Sequence, residues 1–180
     1  MKLIPNLLSA SRLVIAPYLF WLLWRREYGI SFGLCFIAGM TDALDGVLAR
    51  RLGAASRLGA YLDPVADKIF LGGAFLTLAL GGVVEMWFAI LVLARDVLIL
   101  GFVALAVAFT SLRDFPPSVW GKWSTALQIA FMATLLAHLV GWFGVEPVIV
   151  LKWITAALTA WSALHYAWLG RIMLTGASPR

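Results

Sequence analysis

Four aspartates, Asp42, Asp45, Asp63 and Asp67, fall within the stretch TDALDGVLARRLGAASRLGAYLDPVADK, between flanks that are almost wholly apolar. In a helix, residues three apart are separated by about 60° and residues four apart by about 40°. Asp42 therefore shares a face with Asp45, and Asp63 with Asp67. The basic turn from Arg51 to Ser56 would fold the two helices back on each other, so that four carboxylates converge. An ionised aspartate inside a bilayer costs about 2.5–3.5 kcal/mol, and like charges repel, so such a cluster needs cations. Carboxylate oxygens are hard ligands that select Mg²⁺ or Mn²⁺, and four of them suit two ions better than one. A buried polar network, or an ion pathway without a fixed metal, would be built from the same residue types.

The neighbours of the aspartates narrow the choice. Gly46 and Ala49 lie on or near the face of Asp42 and leave room for a ligand or another helix to approach the backbone. Arg50 follows with a planar fork suited to phosphate. Gly59, four residues before Asp63, gives the facing helix its own open spot. The whole pattern reads D-x-x-D-G-x-x-A-R-x8-G-x-x-x-D-x-x-x-D.

This pattern resembles the signature of the CDP-alcohol phosphotransferase family, and every fixed position is filled. The likeness extends to IPNLLSASRLVIAP at the start and to DPVADK, ARDVLIL and GKWSTALQ further on, so it covers most of the chain. It implies a CDP-linked lipid donor, CDP-diacylglycerol, with its diphosphate bridging metals held by Asp42, Asp45, Asp63 and Asp67. It also implies that Gly46, Ala49, Arg50 and Gly59 line the cytidine and diphosphate, that Asp67 is the general base, and that the protein is a homodimer. Two branches of the family are in view. The first stretch and DPVADK look like members that accept glycerol 3-phosphate, and Arg57, Lys68, Arg95 and Lys122 are spare cations for such an acceptor's phosphate. ARDV and GKWSTALQ look at least as much like cardiolipin synthases, whose acceptor is phosphatidylglycerol. The reading favours glycerol 3-phosphate.

These residues need a scaffold, and composition states its class. The chain is 63% hydrophobic and 13% charged, well outside the globular norm, which makes it an integral membrane protein. At about 20 residues per span, 180 residues allow at most six helices in a single domain. The expected architecture is all-α and polytopic, with transmembrane helices near 6–24, 30–51, 57–80, 84–110, 120–140 and 146–171. Pro17 is expected to kink the first helix, and Pro64 to free the Ala60 carbonyl beside the carboxylates. The start of the chain lacks the pattern of a cleaved signal peptide, so the first helix is expected to remain.

Lysine and arginine gather at one set of helix ends, which places both termini and the aspartates at the cytoplasmic side of the cell's inner membrane. A net charge of +5 spread over helix ends fits membrane orientation and anionic lipids better than nucleic acid. The nine tryptophans read as an interfacial belt, and Cys35 as a core thiol. His138 and His165 have no sequence partner for nucleophilic catalysis and read as hydrogen-bonded helix contacts. Glycines at 72, 73, 81 and 82 read as close-packing positions, because no phosphate-loop lysine follows them. A membrane prenyltransferase would carry its aspartate motifs farther apart in a longer chain, and a transporter would show repeated halves or broken helices.

Overall fold

The computed structural model describes the backbone of residues 3–52, 57–109 and 119–175, and the side chains of residues 11–41, 65–102 and 119–168. Six helices make up the described chain: α1 (Leu3–Trp24), α2 (Tyr28–Leu52), α3 (Arg57–Leu80), α4 (Met86–Phe109), α5 (Val119–Leu139) and α6 (Glu146–Thr175). No strand occurs among the described residues. The all-α expectation holds, with helix ends within a few residues of those read from the sequence. Pro17 lies inside a continuous α1. Ala60 and Pro64 lie within the continuous helix α3, where their side chains are not described.

The helices group into two compact units, residues 1–86 with 133–144, and residues 87–132 with 145–180. In the first unit α1 packs on both α3 and α2. Its buried stripe is Arg12, Ala16, Leu19, Leu22 and Leu23, spaced by three and four as one helical face requires. Ala66, Ala74, Phe75 and Leu78 form the matching stripe of α3. Close approach depends on Gly73, because a methyl group there would run into the Phe20 ring of α1. This bears out the packing role read for that glycine.

The second unit is tied together differently. On α4, the stripe Phe88, Ala89, Val92 ends in Arg95 and Asp96, all buried. Ser124 and Gln128 of α5 and Thr155, Thr159 and Ser162 of α6 are fully buried as well. Ser124 Oγ lies 3.1 Å from Thr159 Oγ1, and Gln128 Nε2 donates to Ser124 Oγ at 3.4 Å and to Thr159 Oγ1 at 3.3 Å. Thr155 donates to the Leu127 carbonyl at 3.3 Å. Meanwhile large apolar side chains face outward, among them Val14, Ile37, Val97, Val119 and Leu164, and all nine tryptophans are exposed. Polar contacts inside and apolar groups outside are what helices packed in an apolar solvent would select, since lipid offers no drive to hide leucine.

By length and apolarity alone, one described segment, Glu146–Trp168, is able to cross a membrane. The expected six helices are present, but six spans do not follow from this criterion.

Candidate active site

α3 carries Asp63 and Asp67 one turn apart, and α2 carries Asp42, Asp45, Gly46, Ala49 and Arg50 on an unbroken helix. The side chains of Asp42, Asp45, Gly46, Ala49, Arg50, Arg57, Gly59 and Asp63 lie outside the described residues. Among the described residues no group of three or more acidic, histidine or cysteine side chains forms a metal site. Asp67 is described, and its position is informative. Its carboxylate is 48% exposed and forms an ion pair with the guanidinium of Arg12, a side chain only 11% exposed.

Arg12 opens the buried stripe of α1, four residues before Ala16, so the packing of α1 on α3 places its head at Asp67. The carboxylate thus keeps an open side while a fixed cation holds the other. A carboxylate so placed fits a hard divalent cation chemically on its open side, because it is accessible and supplies oxygen, with the Arg12 charge offsetting part of its own. Arg12 was not among the site residues expected from the sequence. The signal that it belonged to the site was its register: an arginine on the apolar 3–4 stripe of α1 rather than on an outer face.

The spare cations separate. Arg95 is buried and directs four of its five N–H groups to protein. Nη1 donates to Asp96 Oδ1 at 2.7 Å and to Thr125 Oγ1 at 3.3 Å, Nη2 to the Gly121 carbonyl at 2.7 Å, and Nε to Ser162 Oγ at 3.3 Å. One guanidinium therefore joins α4, α5 and α6, and it pairs with the acid next to it in sequence. Lys122 follows Gly121 on the first turn of α5 and is exposed. Lys68 is half-buried. His138 Nδ1 sits 2.9 Å from the Phe143 carbonyl, a helix-end contact of the kind expected. His165 Nδ1 is buried with no hydrogen-bond partner among the described residues, contrary to the bonded contact expected for it.

Known proteins resemble this chain along most of its length. The family model for CDP-alcohol phosphatidyltransferase matches residues 2–164. The CDP-diacylglycerol--glycerol-3-phosphate 3-phosphatidyltransferase of Haemophilus influenzae is 33% identical over 169 residues, covering 91% of this chain and 90% of that protein. The cardiolipin synthase (CMP-forming) of Streptomyces coelicolor is 33% identical over 177 residues, covering 93% of this chain and 79% of that protein. A probable cardiolipin synthase (CMP-forming) of Drosophila melanogaster is 32% identical over 180 residues, covering 91% of this chain, which spans 56% of that relative's length. A complete aspartate pattern on α2 and α3, together with likeness along nine-tenths of its length, means that the chain belongs to the CDP-alcohol phosphatidyltransferase family, a family of transferases.

Proposed function

We propose that the protein transfers a phosphatidyl group from CDP-diacylglycerol to the hydroxyl of glycerol 3-phosphate, giving phosphatidylglycerophosphate and CMP. The observation that carries this reading is the full D-x-x-D-G-x-x-A-R-x8-G-x-x-x-D-x-x-x-D pattern, with the Asp67 carboxylate open to solvent on α3. Asp42, Asp45, Asp63 and Asp67 would hold two Mg²⁺ or Mn²⁺ ions. When bound, these ions would neutralise charge on the diphosphate and on departing CMP. Gly46, Ala49 and Gly59 leave backbone open to the cytidine and diphosphate, and Arg50 supplies a phosphate contact.

Asp67 takes the proton of the attacking hydroxyl as its oxygen bonds to the lipid-side phosphorus and the bond to CMP breaks. Arg12 keeps the Asp67 carboxylate turned toward the substrate. Arg57 and Lys68 are the cations offered to the acceptor's phosphate, whereas Arg95 is engaged in joining α4, α5 and α6. The helices cross the inner membrane six times, with termini and site at the cytoplasmic face, and the protein works as a homodimer.

A second reading keeps the same chemistry with phosphatidylglycerol as acceptor. ARDV and GKWSTALQ favour it, as do relatives named cardiolipin synthase. The test is to offer purified protein CDP-diacylglycerol with glycerol 3-phosphate, phosphatidylglycerol, serine or inositol phosphate in parallel, and to follow CMP release. Release with glycerol 3-phosphate, abolished by a chelator and restored by Mg²⁺, is expected. Turnover with phosphatidylglycerol alone would transfer the assignment to the second reading, and turnover with neither would end both.

A further inference from the structure

A cavity of about 350 Å³ lies at the far end of the first unit, where α1 and α3 end and α2 begins, and Leu23, Trp24, Arg26, Tyr28, Leu78 and Val83 help to line it. We propose that it binds the headgroup of an anionic phospholipid, with the phosphate on Arg26 and the first carbons of the chains on the apolar floor. Three helices end here or elsewhere on the same turn, and its composition singles out Arg26. At α3 the N–H of Gly82 bonds the Ala79 carbonyl and that of Val83 the Leu78 carbonyl, with Gly82 at φ +72°. At α5, Gly141 and Trp142 bond His138 and Ala137 in the same way, with Gly141 at φ +91°. At α1, Arg26 and Glu27 repeat the pattern onto Leu23 and Leu22, but the left-handed residue is Arg26, at φ +62°.

Glycine takes that conformation freely and other L-residues do not, so the two glycine turns show what the backbone prefers. An arginine in the third turn is a local cost, and a side chain held against such a cost points to use. Its side chain is exposed and lines the cavity, and no described carboxylate pairs with it. The same bonds cap the last carbonyls of α1 and α3, which removes acceptors from the cavity mouth. The first turn of α2, from Tyr28, adds a positive helix end and a phenol. Glu27 is not among the lining residues.

The floor distinguishes a lipid from a soluble anion. Leu23 and Leu78 are buried beneath it, and Trp24 stands exposed at its rim. Arg25 next door is held over the Trp21 ring at 5.5 Å, an arrangement suited to a membrane interface. Its volume falls in the range of small-molecule sites, about 300–1,000 Å³. At about 1.5 Å per residue, Leu23 is roughly 16 Å along α1 from Arg12, so the cavity is separate from the Asp67 site and its occupancy does not depend on the reaction assigned there.

The test is native mass spectrometry of the full chain, titrated with phosphatidylglycerol, with phosphatidylcholine of the same chains, and with inorganic phosphate, alongside thermal unfolding. Arg26→Gly should bind phosphatidylglycerol at least about tenfold more weakly than the wild type, the loss of one charge-assisted hydrogen bond. Its melting temperature should hold or rise, because glycine suits the turn. Arg26→Asn, which also tolerates left-handed backbone, should lose the lipid equally. Undiminished phosphatidylglycerol binding by both variants would overturn the proposal. So would equal binding of phosphatidylcholine or of inorganic phosphate by the wild type, or unfolding of Arg26→Gly, which would make Arg26 a structural residue.

Discussion

The Arg12–Asp67 and Arg95–Asp96 pairs use the same two residue types and differ in what surrounds them. The Arg12–Asp67 carboxylate is 48% exposed, whereas the Arg95–Asp96 carboxylate is 8% exposed and its guanidinium 2%. Enclosure commits Arg95 to its neighbours, because a buried charge must satisfy its donors locally. Openness leaves Asp67 with oxygen to offer. The lesson is that an ion pair inside an apolar helix bundle is structural or chemical according to whether its acid can still reach a ligand.

Breaking each pair should therefore register in different measurements. The largest effect is expected from Asp67→Asn, which should cut CMP release by about 10²–10⁴-fold while the melting temperature stays put. Full turnover in that variant would remove Asp67 from the chemistry. Arg95→Leu removes the buried counter-charge of Asp96 and should cost about 3–5 kcal/mol in equilibrium unfolding from mixed micelles. Pairing it with Asp96→Leu should recover much of the loss. A raised KM for glycerol 3-phosphate with unchanged stability would instead make Arg95 an acceptor ligand.

Arg12→Gln lies between the two extremes. On the proposed role of Asp67 as a metal ligand, loss of the group that orients its carboxylate should lower turnover or Mg²⁺ affinity by about 10–100-fold, read from Mg²⁺ titrations of rate. If only stability changed, the two pairs would be alike after all. Gly73→Ala should cost about 1–3 kcal/mol by driving α1 off α3 at the Phe20 ring, with Phe20→Leu as partial rescue. The smallest change belongs to the polar seam of the second unit: Thr155→Val should cost about 0.6 kcal/mol in the same unfolding assay, typical of one hydrogen bond between membrane helices.

Helix number and helix limits were legible because apolar runs of about 20 residues broken by Arg25–Glu27, Gly81–Gly82 and Pro116–Pro117 leave little freedom in placing elements. The aspartate pattern was legible for a related reason, as spacing of three and four fixes which side chains share a helix face. Arg12 was missed because its role depends on α1 lying against α3, a pairing between residues 55 apart in sequence. The multiple bonding of Arg95 was equally out of reach, since its partners Thr125, Gly121 and Ser162 lie on two other helices.

Sequence alone determined that this chain is helical, apolar and carries the aspartate pattern of its family on two of those helices, because composition and local periodicity act within one helix. Tertiary structure alone decided which arginine serves which aspartate, and that Arg26 lines a cavity at the end of α1 away from Arg12. Burial and ion pairing are properties of helices brought together, and no single stretch of chain contains them.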